Sequence, residues 1–170
     1  MNVHVLGYHN VRQMRLVRSI FGEDANLLFG AVPPNEYNYI IKEKYTIVYK
    51  NSKHYDNSII FGCDNTTERI EKLLTEEVPE LGQGDVPNER VVDVILNVEV
   101  LDHLGKVVYR ESSEPLEMIL MDEPFHAHAD LDSVLYLKKV NRVFSNMSKE
   151  DYLTIHPFPI LLSDIKTKIL

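Results

Sequence analysis

The stretch RVVDVILNVEVLDHLGKVVYR, residues 90–110, decides the fold. Val92, Val94, Leu96, Val98 and Val100 fall on even positions while Asp93, Asn97 and Glu99 interrupt the odd ones, the period-two pattern of a strand with one face in a core. Asp102-His103-Leu104-Gly105 then supplies a short turn carrying glycine, after which Lys106-Val107-Val108-Tyr109 resumes the apolar run. The two runs read as a hairpin at the middle of a sheet. Beyond it, Ser112-Ser113-Glu114-Pro115 reads as a turn and Leu116 to Met121 as the third strand of a meander.

Upstream, Val3 and Val5 alternate with polar residues, so residues 1–9 read either as a short strand ended by Gly7 or as an arm. Asn10 is a good N-cap, and Val11, Met14, Val17 and Phe21 then recur at helical spacing until Gly22. Arg12, Arg15 and Arg18 form a ridge on the outer side of that helix, either a solvated face or a contact for phosphate or an acidic partner. From Tyr37 to Lys50 the odd positions are Tyr37, Tyr39, Ile41, Glu43, Tyr45, Ile47 and Tyr49, opposed by lysines and other polar residues. This predicts one long strand, or two strands broken near Glu43. A half-buried strand explains the tyrosines better than a stacking platform for single-stranded nucleic acid, because no glycine-aromatic motif accompanies them.

Ser58 to Phe61 reads as a short strand. Asn65 with Glu68 resembles a capping box, followed by a stripe of Ile70, Leu73, Leu74 and Val78, which predicts a helix stopped by Pro79. Gly82-Gln83-Gly84-Asp85 is no phosphate loop, since no Lys-Ser or Lys-Thr follows and a strand comes next. Residues 134–144 fit helix and strand templates about equally and are read as strand. Ser148 with Asp151 marks a helix start, and the apolar C-terminal segment, residues 157–170, is too hydrophobic for a free tail. The expectation is a single α+β domain over residues 1–170, with a mainly antiparallel or mixed sheet on a central meander and two or three helices packed on it.

Composition narrows the classes. A chain of 170 residues, 44% hydrophobic and 26% charged, suits one soluble domain rather than a disordered segment. Cys63 is the one cysteine, so no intrachain disulfide forms and a reducing setting, cytoplasmic or inside a virion, is expected. The opening MNVHVLGYHN lacks the basic and apolar regions of a signal peptide, and no run approaches the roughly 20 apolar residues of a membrane span. A net charge of −8 argues against nucleic-acid binding over the whole surface, where cations must displace phosphate counterions.

Metal-ligating residue types cluster once, where His126, His128 and Asp130 would project to one side of an extended segment and could hold a divalent transition metal for hydrolysis. A polar loop is the competing reading. Cys63 has no nameable partner, and His4, His9, His54, His103 and His156 are scattered singly, supporting no acid-base pair. With no catalytic set and two apolar ends, the leading expectation is a non-enzymatic subunit without cofactor that works through protein partners in a homo-oligomer or heteromeric assembly. Its concrete form is a ring or connector of a phage head-to-tail structure. Contact candidates are Arg12, Arg15, Arg18, Ile165, Ile169 and Leu170. The alternatives are a small metal-dependent hydrolase or nuclease using His126, His128 and Asp130, and an acidic inhibitor or immunity-type protein that binds a basic partner.

Overall fold

The computed structural model describes residues 1–7, 9–49, 58–61, 67–73, 91–121 and 131–170. The elements run β1 (Asn2–Leu6), α1 (Val11–Phe21), β2 (Asn26–Gly30), β3 (Tyr39–Tyr49), β4 (Ser58–Phe61), α2 (Thr67–Lys72), β5 (Val91–Asp102), β6 (Val107–Ser112), β7 (Leu116–Leu120), β8 (Leu135–Leu137), β9 (Arg142–Val143), α3 (Lys149–Ile155) and α4 (Pro157–Ile169). The nine strands of the described residues join one mixed sheet, giving an α+β domain.

Its spine is the antiparallel ladder of β3 and β5, in register from Tyr39 opposite Asp102 to Tyr49 opposite Val92. Alternation puts Val92, Val94, Leu96, Val98 and Val100 of β5 into the core. Directly opposite on β3, and so on the same face, stand Ile47, Tyr45, Glu43 and Ile41. Both outer edges of this ladder are broken at the middle. Along β3, β1 pairs in parallel at Tyr39 to Ile41 and β4 pairs antiparallel at Tyr45 to Val48, which leaves Lys42 to Lys44 without a strand on that side among the described residues. Along β5, β6 pairs with Asn97 to Leu101 and β7 with Val91 to Val94.

That second break corrects the expected meander. After β6 the chain does not reverse; β7 continues along the same edge of β5 in the same direction. Pro115 has no N–H to give a ladder, and Ser113 bridges the interruption. Its N–H donates to the Leu96 carbonyl at 2.8 Å, and its hydroxyl accepts the Leu96 N–H at 2.8 Å. Residues 112–115 are thus a jog in one long edge.

The antiparallel expectation holds for most of the sheet and fails at the N-terminus, where β1 runs parallel to both β2 and β3. Residues 2–6 are an interior strand rather than an arm, with Val3 and Val5 fully buried. Asn10 caps α1 as expected, but the buried face of this helix is Gln13, Val17 and Phe21, while Val11 stays exposed. Residues 134–144 form neither a helix nor a single strand. β8 and β9 pair as a hairpin whose turn carries Asn141 at φ 57°, a left-handed position that asparagine tolerates. Ser148 caps α3 by accepting the Asp151 N–H at 3.1 Å, and Pro157 opens α4, where its missing N–H costs nothing. α4 buries Phe158, Leu161, Leu162 and Ile165 and packs against α1, α3, β5 and β6. No helix among the described residues is long and apolar enough to cross a membrane. Of the expected second helix only Thr67–Lys72 is described; Asn65, Cys63, Pro79 and residues 82–85 lie outside the described residues.

Candidate functional site

Glu43 is the one carboxylate in the row Ile41, Glu43, Tyr45 and Ile47, and it is only 8% exposed. Burying a carboxylate among aliphatic neighbours is costly unless it is paired and hydrogen-bonded. The partner is His9, whose Nε2 donates to Glu43 Oε1. His9 lies in the link between β1 and α1, just past the carboxyl end of β1, and Glu43 lies where the outer edge of β3 has no strand. The local strand order β2-β1-β3 makes this a switch point: α1 carries the chain to one side of β1, and β3 stands on the other. Crevices beyond the strand ends at such points are where open sheets with parallel strands take ligands.

The start of α1 follows His9 directly. Asn10 Oδ1 accepts the Gln13 N–H at 2.8 Å, and Gln13 Oε1 accepts the Asn10 N–H at 3.1 Å, a reciprocal cap that fixes the first turn and its positive dipole end. His9 is held between the Phe29 ring, edge-on at 5.9 Å, and the Phe158 ring, stacked at 6.0 Å. Facing a carboxylate, Nε2 is the nitrogen that carries a proton. Nδ1 is buried and has no hydrogen-bond partner among the described residues.

A second pair is built differently. His156 is fully buried; its Nδ1 accepts the Phe158 N–H at 3.1 Å, so the proton sits on Nε2, which donates to Asp132 Oδ1 at 3.0 Å. Phe144 and Tyr152 flank the ring at 4.2 and 4.5 Å. Both nitrogens are spent, so this imidazole braces the start of α4 and has none left for a substrate. Tyr152 joins the two pairs. Burial foremost, then the charges of Asp132 and Glu43, push its phenol well above the usual range, so it stays a neutral donor. On its face sits the Arg12 guanidinium at 4.3 Å, tied by Nη2 to the carbonyls of Met147 at 2.8 Å and Ser148 at 3.1 Å.

The expectation that the histidines support no acid-base pair is overturned for two of them, which find a carboxylate across the fold: His9 and Glu43 are 34 residues apart, His156 and Asp132 24. The signal available for the first was Glu43 itself, a charge inside an apolar alternation. His126, His128 and Asp130 lie outside the described residues, within which no three metal-ligating side chains gather. The arginine ridge is split: Arg12 turns to Tyr152, Arg18 lies 5.1 Å from the Phe29 ring, and Arg15 is exposed between them. Of the C-terminal contact candidates, Ile165 is consumed by the protein's own core, Ile169 packs against it, and Leu170 is exposed.

Across β5 from Glu43, in register through Val98, stands Glu111. Burial raises its pKa above the ordinary carboxylate value; the Tyr109 hydroxyl, donating at 2.7 Å, opposes this, and neighbouring Asp164 adds to it. Folded Glu111 therefore holds its proton to higher pH than the unfolded chain does, and stability falls as pH rises from the ordinary value through the raised one. Glu111→Gln is expected to be more stable than the natural chain at neutral pH, with the advantage vanishing below about pH 4, where both states are protonated. Urea unfolding at both pH values measures it; an equal difference at the two would refute it.

No family model matches the sequence, and no curated protein does. Solved structures do. The chain is similar to a HAM1 protein from Coxiella burnetii at TM-score 0.56 and 11% identity, covering 99% of this chain and 98% of the other. It is similar to the Ham1 protein of Staphylococcus aureus at TM-score 0.57 and 11% identity, with 99% and 100% covered. A nucleoside-triphosphatase / dITP/XTP pyrophosphatase from Mycobacterium abscessus gives TM-score 0.50 and 8% identity, with 97% and 98% covered. These likenesses overturn the assembly-subunit expectation, the head-to-tail ring or connector with its virion setting, and the acidic inhibitor. The apolar ends and acidic surface that suggested them belong to a fold whose solved examples here include a pyrophosphatase. Over almost its whole length, this chain is folded as the Ham1 proteins are.

Proposed function

We propose that the protein binds a nucleoside triphosphate in the crevice over Glu43 and cleaves it between the α- and β-phosphates, releasing a nucleoside monophosphate and pyrophosphate. The observation that carries this reading is the buried His9 and Glu43 pair with one imidazole nitrogen unused, set in a fold shared with a nucleoside-triphosphatase / dITP/XTP pyrophosphatase. Nδ1 of His9 takes the proton of the attacking water, and Glu43 fixes the tautomer and offsets the charge that forms on the ring. The start of α1 presents its dipole to phosphate oxygens. Enclosure by Phe29 and Phe158 keeps the local dielectric low, which strengthens each of these interactions.

Nucleoside triphosphates carry magnesium, which asks for one or two carboxylates besides phosphate oxygens. Glu43 fits as one such oxygen donor, since His9 engages its Oε1 alone. The ion would neutralise charge on the phosphates. A second reading, binding without turnover, is favoured by the use of Arg12: this one cation of the first turn of α1 is committed to Tyr152 and two carbonyls, away from the crevice.

Pyrophosphate release and equilibrium binding, measured over a panel of common and deaminated nucleoside triphosphates with magnesium, test both. Release from at least one, abolished in Glu43→Gln, is expected. Binding without release selects the second reading, and a chain that neither binds nor cleaves any of them refutes both.

A further inference from the structure

A separate cavity of about 500 Å3 opens between α1 and α3, and neither Glu43, His9 nor Gln13 lines it. Its walls are Leu16, Leu153 and the Tyr152 ring, and its charges are Arg12 and Arg15, one helical turn apart on α1, with Lys149 at the start of α3. No acidic side chain lines it. In a chain of net charge −8 this concentrates three positive charges around one small space. Lys149, Tyr152 and Leu153 share one face of α3, which turns Glu150 and Asp151 away from the opening.

Arg12 is already fixed by the Met147 and Ser148 carbonyls and the Tyr152 ring, so its ordering is not charged to binding. Arg15 and Lys149 are exposed and have no acidic partner among the described residues. The volume lies within the range of about 300–1,000 Å3 typical of small-molecule sites. Guanidinium groups with an ammonium suit a dianion with several acceptor oxygens, and aliphatic and aromatic walls suit an apolar body.

We propose that this cavity is a second ligand site, outside the catalytic crevice, for a small organic phosphate: the phosphate among Arg12, Arg15 and Lys149, the ring or aliphatic body against Leu16, Tyr152 and Leu153. The inference does not depend on the chemistry at Glu43.

Phenyl phosphate, followed by amide NMR shifts, is the probe, with benzyl alcohol as the uncharged control. The natural chain is expected to titrate saturably at Val11, Leu16 and Leu153, as is His9→Leu/Glu43→Leu. Arg15→Glu/Lys149→Glu, exposed substitutions whose fold helical circular dichroism checks, is expected to bind at least about tenfold more weakly, the loss of one charge-assisted hydrogen bond or more. It is also expected to keep any pyrophosphate release unchanged. Absence of saturation in the natural chain, unchanged affinity in the Arg15 and Lys149 variant, loss of binding in the His9 and Glu43 variant, or equal binding of benzyl alcohol would each overturn the proposal.

Discussion

The double variant His9→Leu/Glu43→Leu is expected to be as stable as the natural chain or about 1–4 kcal/mol more stable, and to release no pyrophosphate. Either single change is expected to lose about 3–5 kcal/mol, because it strands one polar group in a dry site. The asymmetry follows from burial: the two side chains are 2% and 6% exposed, and their neighbours in the core are aliphatic and aromatic. Leucine at both positions completes the row Ile41, Leu, Tyr45 and Ile47 and removes two desolvated groups at once. A pair that weakens the fold relative to its apolar replacement is retained for something other than stability. Removing a positioned acid-base group costs about 10²–10⁴ in rate. Urea unfolding of all four chains, with pyrophosphate release measured alongside, decides the matter. A double variant as unstable as the singles would make the pair structural and remove the ground for assigning it chemistry.

His156→Ala is expected to cost about 3–5 kcal/mol, comparable to stranding a buried partner, while leaving turnover per folded molecule nearly unchanged. The ring is cap to α4, partner to Asp132 and filler between Phe144 and Tyr152, so alanine leaves an N–H, a carboxylate and a cavity unsatisfied together. Asp132→Asn, which keeps an acceptor for Nε2, is expected to lose only about 1 kcal/mol. Against the total of about 5–15 kcal/mol usual for a domain, the first change is a large fraction of all the stability there is. Chemical unfolding measures both; a His156→Ala protein of undiminished stability with lost turnover would reverse the roles given to the two histidines.

Local chemistry was well written in the sequence. The period of β5 and the Asn10 and Ser148 caps depend on neighbours within a few residues, and each was readable there. What failed depends on distance. The jog at Ser113 looks like a turn because Ser-Glu-Pro favours turns; that β7 returns to the edge of β5 is decided by pairing some 25 residues upstream. β1 reads as a strand or an arm until β2 and β3 are seen to enclose it. The histidine pairs are joined only by the fold, so no spacing rule finds them. Glu43 was visible as a charge within an apolar series, and of the two readings that series allows, the fold takes the one long strand and keeps the carboxylate in its core.

The missing strand segments on the two edges of the ladder also have a mechanical meaning. Only β3 and β5 run the whole length of the sheet: among the described residues their ladder is flanked at Glu43 by β6 alone, and at Leu96 by β4 alone. The sheet is three strands wide there and broader towards both ends, and the twist between strands grows as a sheet narrows. Twist is therefore expected to be greatest beside Glu43, where the sheet passes from the strands grouped around β1 to those grouped around β4 and β7.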